Sequence, residues 1–340
     1  MIRTIIYILF TIVLIFTENV TFSQDIHFSQ FYASPLTLDP SLTGNFNGKW
    51  RLSNIYRRQW DAFGIPYQTI SIGFDHKFSL MNGDDVNAGI VFVNDNSGGA
   101  NLNVNKFGLS GSYIKKFENH SVALGAQGAY VLKGFKTNDI TFPDQYDLQS
   151  GMFSTDMITT GPAAGDNLSY LDINAGIAWR GVFNGIEPVA GISFFHLNMP
   201  KESFLDDNNK LPLRSVIHAG GRAYVGTKMF LDPNILYMTH SKANDLLSGV
   251  NVGYIFSNEY GMMKAGYAGP FFRNGFNRNP DALIFVIGMI YNKINVGISY
   301  DFNISYLKTV TNYKGALEIS LIYKELNYQV DKIALPCDVH

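Results

Sequence analysis

An all-β fold, a transmembrane antiparallel β-barrel of about fourteen strands with an N-terminal segment packed in or against it, is what this chain predicts. Three observations predict it. Apolar and polar residues alternate along one segment after another from residue 48 to 325, the connections between segments alternate short and long, and the composition is too poor in charge for a surface that faces water.

The alternation is clearest in the hairpin from Gly48 to Ser79. In its second arm Ile70, Ile72 and Phe74 alternate with Ser71, Gly73 and Asp75, the two-residue period of a strand with one greasy and one wet face. In its first arm Arg51, Ser53, Arg57 and Gln59 share a face opposite Trp50, Leu52, Tyr56 and Trp60. The same pattern predicts strands over 48–60, 66–79, 84–94, 101–117, 120–136, 168–180, 185–196, 214–226, 229–242, 246–257, 260–272, 281–292, 293–303 and 314–325. Segment 281–292 is apolar on both faces and is the least regular of them.

Every second connection is tight, as at Leu80 to Gly83, Glu118-Asn119 and Gly226 to Lys228. The others include every long loop: Asp95 to Ala100, Thr137 to Asn167, Leu197 to Leu213, Arg273 to Pro280 and Ile304 to Tyr313. Short turns on one rim, long loops on the other and an even strand count are the pattern of a bacterial outer-membrane barrel. Charged residues are only 16% and aromatics 14%, against roughly 25% charged in a soluble domain. A soluble β-sandwich would share the alternation but needs a more charged exterior. In lipid, antiparallel strands must close on themselves so that no edge leaves backbone groups unpaired in hydrocarbon. Trp50, Trp60, Tyr113, Tyr130, Trp179, Tyr300 and Tyr323 lie toward strand ends, where aromatic girdles belong.

The ends divide the chain further. Arg3, the apolar run Ile5 to Phe16 and the polar Thr21 to Gln24 predict a signal peptide over 1–24, since the run is shorter than the roughly 20 residues of a spanning helix. Residues 25–47 carry Pro35, Pro40 and Gly44, lack strand alternation and are too apolar for a free tail, which predicts a plug-like segment at the barrel mouth or lumen. The barrel spans 48–325, and 326–340 is a short periplasmic tail holding Cys337, the single cysteine. The localisation that follows is the outer membrane, lipid being the first partner, with long loops extracellular and both termini periplasmic.

Chemistry is sparse. The histidines at 27, 76, 120, 196, 218, 240 and 340 have no metal-ligand spacing, and Asp206 to Asn209 lacks the spaced carboxylates of a calcium loop. No serine has a nucleophile context, so no catalytic residue, cofactor or metal is expected, and the net charge of -2, with no concentrated basic patch, argues against a nucleic-acid partner. Arg51 and Arg57 stand out, because a charge facing lipid costs a few kcal/mol while one facing the lumen need not. They are expected to face inward and to pair with acids such as Asp75 or with segment 25–47, fixing it inside the barrel.

SQFYASPLTLDPSLTG at 29–44, SNIYRRQWDAFGIPYQT at 53–69 and ALEISLIY at 316–323 together resemble the PorP/SprF family of type IX secretion system membrane proteins. The motif residues that carry the resemblance include Phe31, Pro35, Pro40, Gly44, Tyr56, Arg57, Gln59, Trp60, Pro66 and Tyr67. Two departures are Asp39-Pro40-Ser41 in place of Asn-Pro-Ala and Pro336-Cys337 in place of Cys-Pro. The resemblance implies a non-enzymatic component of a secretion and gliding apparatus that helps export or anchor a surface adhesin through its C-terminal sorting domain, in contact with other secretion components. The alternative reading of the barrel is a transport channel for small or hydrophobic solutes.

Overall fold

A computed structural model describes residues 27–59, 66–97, 102–135, 143–154, 157, 167–204, 209–240, 243–259, 262–275 and 279–325. The expected signal peptide, Trp60, the Asp206 to Asn208 stretch and the tail with Cys337 lie outside the described residues.

The alternation folds into a closed antiparallel barrel of fourteen strands: β1 (Trp50–Gln59), β2 (Tyr67–Ser79), β3 (Asp85–Ser97), β4 (Leu102–Lys116), β5 (His120–Phe135), β8 (Leu168–Gly181), β9 (Ile186–Phe195), β10 (Arg214–Val225), β11 (Met229–His240), β12 (Ala243–Glu259), β13 (Met262–Gly275), β14 (Asn279–Tyr291), β15 (Ile294–Asn303) and β16 (Lys314–Glu325). Strands β6 (Tyr146–Asp147) and β7 (Met152–Phe153) form a separate small hairpin in the longest connection. Each barrel strand pairs with its sequence neighbour, and β1 pairs with β16 to close the cylinder, Trp50 opposite Glu325 and Gln59 opposite Ala316. No described helix is long and apolar enough to cross a membrane.

Side-chain burial follows the two-residue period. Along β1 Arg51, Ser53, Ile55 and Arg57 are buried, and along β16 Ala316, Glu318, Ser320 and Ile322 are, while Leu52, Leu317, Ile319 and Leu321 point out. Ile72, Phe107, Leu109, Leu124, Leu171 and Phe285 are exposed on other strands, an apolar exterior that hydrocarbon covers. At the short-turn rim Trp50 stacks on Tyr323 at 4.8 Å between ring centres, with Phe74 at 5.9 Å, and toward the other rim Tyr300 meets Phe302 edge-on at 4.9 Å.

Two loop expectations are corrected. The described residues of both, Asp95 to Ser97, Arg273 to Gly275 and Asn279-Pro280, are strand, since β3 continues to Ser97, β13 to Gly275 and β14 begins at Asn279. Polar residues there prolong the ladder instead of ending it. Asn94 donates to Asn103 and Asn105 across β3 and β4, Thr69 donates to Asp95 across β2 and β3, and Arg273 reaches Asp281 across β13 and β14. The long connections that remain, 136–167, 196–213 and 304–313, share one rim.

The interior has two kinds of wall. Across β15, β16, β1 and β2 most inward positions are polar, with Ser299, Asp301, Glu318, Ser320, Arg51, Arg57, Ser71 and Asp75 buried. Across β11 to β14 they are mainly apolar, with Phe230, Leu236, Leu247, Phe271, Ile284 and Val286 in one cluster. Wall glycines make room for the rings: a Cβ at Gly253 would sit 2.0 Å from Phe230, and one at Gly249 2.3 Å from Phe271. This inner apolar wall explains why segment 281–292 reads as greasy on both faces.

Candidate functional site

The described part of the N-terminal segment lies against the inner wall, and its contacts make up the site. Three short helical turns, Phe31–Ala33, Pro35–Leu38 and Pro40–Leu42, fold it into a compact strap. Pro35 and Pro40 each open a turn, where a missing N–H costs nothing. Gly44 leaves the last turn at φ +67°, and a Cβ there would come within 2.2 Å of the Asn87 side chain, so both conformation and space require glycine.

A first anchor, toward the long-connection rim, joins Arg57 of β1, Arg273 of β13, Asp301 of β15 and Glu318 of β16. Arg57 pairs with Glu318 and lies 3.3 Å from Asp301, and Arg273 lies 3.0 Å from Asp301 and 2.6 Å from Asp281. Arg57 and Arg273 thus face three carboxylates, and the segment contributes further donors. The backbone N–H groups of Ser29 and Gln30 donate to the two Glu318 oxygens at 2.7 and 2.8 Å, and the Ser29 hydroxyl donates to Asp301 at 2.8 Å. Gln30 also donates to Ser299 and accepts from Ser320. A buried carboxylate left short of donors costs several kcal/mol, so the wall needs the strap as much as the strap needs the wall.

A second anchor lies toward the short-turn rim. The Arg51 guanidinium grips Asp75 with two bonds, at 3.0 and 2.7 Å, and donates to the Leu42 carbonyl at 3.0 Å. Asp75 in turn accepts the Gly44 N–H at 2.7 Å. The Phe46 ring lies under Arg51, 4.5 Å from the guanidinium carbon to the ring centre, and Lys77 donates to the Phe46 carbonyl at 2.5 Å.

Between them the strap's carbonyls find partners round the wall, as buried backbone must. Gln127 donates to Leu36, Ser193 to Leu38 and Ser112 to Thr43. Asp39 accepts from the Ser41 N–H and hydroxyl and lies 2.9 Å from Nε2 of His218. Wall glycines permit this approach: a Cβ at Gly125 would overlap the Pro40 carbonyl carbon at 2.3 Å, and one at Gly176 would overlap the Asp39 carboxylate at 2.0 Å. On the apolar side Phe31, Leu38 and Leu42 join the cluster of β11 to β14, and Tyr32 packs on Phe271 with its hydroxyl 3.3 Å from Asn251.

The structure therefore brings together Phe31, Pro35, Pro40, Gly44, Arg51, Arg57, Gln59 and Asp75, Gln59 accepting from Arg57. Tyr56 sits on the outward register and touches no part of the strap, Tyr67 is exposed at the long-connection rim, and Pro66 is half-buried beside it. Sequence reasoning missed Ser29, His218, Arg273, Asp301 and Glu318 as partners. Asp301 and Glu318 had carried a signal, being acids on the polar register of otherwise apolar strands. Among the described residues no cluster of histidine, cysteine or carboxylates is arranged to hold a metal. The arrangement bonds the strap to the wall toward both rims.

Comparison with known proteins agrees with this architecture. The family described as type IX secretion system membrane protein PorP/SprF matches residues 20–323. No curated protein matches the chain. Among solved structures, a Pseudomonas aeruginosa FadL homologue is 8% identical with a TM-score of 0.50, covering 84% of this chain and 92% of that one. The Ralstonia pickettii toluene transporter TbuX is 8% identical with a TM-score of 0.47, covering 87% and 94%. CdiB from Acinetobacter baumannii is 10% identical with a TM-score of 0.44, covering 81% of this chain, which spans 60% of its length. The likeness to the FadL homologue is one of fold.

Proposed function

Because the chain belongs to the PorP/SprF family of type IX secretion system membrane proteins, we propose that it is a non-catalytic outer-membrane component that helps export or anchor a surface adhesin through the adhesin's C-terminal sorting domain. The observation that carries this reading is the filled lumen. A strap bonded to β15, β16, β1, β2, β4, β5, β9 and β10 occupies the space a general porin leaves to water, which favours a binding and retaining role over free conduction. In this reading the long connections 136–167 and 196–213 face the cell exterior and supply the contact surface for the secreted partner, while the short turns face the periplasm and other secretion components.

The test is affinity purification of the tagged protein from its outer membrane, with co-purified chains identified by mass spectrometry, beside conductance in planar bilayers. The expected result is an exported protein with a sorting domain that co-purifies, is lost when 197–213 is shortened, and accompanies a barrel with no steady open pore. A steady ohmic pore with no co-purifying exported protein would overturn the proposal.

A further inference from the structure

The strap does not fill the lumen evenly. Beneath it, toward the short-turn rim, a cavity of about 460 Å³ is left, within the roughly 300–1,000 Å³ range of small-molecule sites. Leu38, Leu42, Val189, Ile290 and Ile322 supply apolar wall, among polar side chains such as Asn251 and His218. The cavity also carries cations, Arg51, Arg180, Arg222, Lys293 and Lys324.

All but one of these cations already meet a carboxylate. Arg51 holds Asp75 at 2.7 Å, Arg180 holds Glu187 at 3.2 Å, Arg222 holds Asp232 at 2.7 Å and Lys293 holds Glu325 at 2.6 Å. Lys324 has no such partner among the described residues. It stands directly across the ladder from Arg51, both side chains on the inward register, a like-charge pairing that disfavours the empty site. An inward lysine beside a second cation, next to a stretch of apolar wall, is the complement of a molecule with one anionic head and one hydrocarbon chain.

We propose that this cavity binds a single-chain anionic amphiphile, its carboxylate or phosphate head on Lys324 and its chain against Leu42, Val189, Ile290 and Ile322. The site is separate from the long-connection surface invoked for a secreted partner, and stands whether or not that partner is found. The single unmatched cation fits one head group.

The experiment uses the full chain in nanodiscs of zwitterionic lipid, freed of detergent, with empty discs as background. The probe is 11-(dansylamino)undecanoic acid, followed by fluorescence and displaced by dodecanoate, dodecyl phosphate, dodecanol or inorganic phosphate. The expected result is saturable binding above background, with dodecanoate or dodecyl phosphate displacing the probe at least about ten-fold better than dodecanol or inorganic phosphate, as a charge-assisted contact implies. The better of the two charged competitors assigns the head group. Lys324→Gln is expected to weaken binding about ten-fold and Val189→Trp, which fills the hollow, to abolish it, both variants being checked for the heat-modifiable gel mobility of a closed barrel. No saturable signal above empty discs, equal displacement by dodecanol or by inorganic phosphate, or unchanged affinity in folded Lys324→Gln would each overturn the proposal.

Discussion

The polar arc of the inner wall, β15, β16, β1 and β2, and the apolar arc, β11 to β14, hold the same strap by opposite means. On the polar arc each contact has one solution: Glu318 accepts Ser29 and Gln30, Asp75 accepts Gly44, and a shift of one residue would misplace them all. On the apolar arc Phe230, Phe271 and Ile284 exclude water without dictating which atom of Phe31 or Leu38 they touch. The contrast assigns register to the charges and bulk stability to the rings, a division in which ions contribute specificity more than net free energy.

The sharpest way to break it is Arg57→Ala. Removing that guanidinium leaves Glu318 and Asp301 buried with too few donors, at a cost of about 3–5 kcal/mol. The expected outcome is a strap newly cut by protease within residues 27–47 while the barrel keeps its unheated gel mobility; unchanged protection would remove the charges from their role in register. Phe271→Ala should cost nearly as much, about 3 kcal/mol, through the hollow left above Gly249. Its signature differs: the temperature of the gel-mobility transition falls, yet the strap stays protected.

His218→Ala probes the joint between the arcs. Asp39 would keep Ser41 and lose its imidazole, a loss of about 1–3 kcal/mol. Amide exchange at Ser41 and Thr43 should quicken, with that at Ser29 and Gln30 unchanged; equal quickening at both would mean that the strap moves as one body. The smallest effect belongs to the short-turn rim, outside both arcs. The Tyr113 hydroxyl, with Lys115 and the Lys116 N–H assisting, holds the Asp84 carboxyl down at about 2, below its ordinary 3.8. A carboxyl lowered on folding contributes stability above its ordinary value and loses it as pH falls through the folded one. Asp84→Asn should therefore lower the gel-mobility transition at pH 6, and the difference from the parent should shrink between pH 4 and about 2. A gap of constant size would assign the effect to geometry.

Strand number, the closed barrel and the inward turn of Arg51 and Arg57 were legible because a period of two separates lipid from lumen along most strands, β14 excepted. Two things were not. The ends of β3 and β13 were hidden because Asp95 and Arg273, which read as loop residues, bond across the ladder, Asp95 accepting from Thr69 and Arg273 donating to Asp281. The partners of Arg57 were hidden because Glu318 becomes its neighbour only when the last strand meets the first, a distance of 261 residues along the chain. The Asp39 and Ser41 departures from the family pattern also gain their sense in three dimensions, where these residues bond each other and Asp39 faces His218.

The position of Glu318 bears on how the molecule is put together. The strap is joined to β1 through Gly48 and clasped by β16, so the two sides of the closing seam meet across it. Glu318 gains its two backbone donors only when the strap is seated, so seating the strap and shutting the hoop stabilise one another. Birth order thus runs in a circle: the residues made first wait for almost the last, and a chain stopped short of β16 would let its own beginning go.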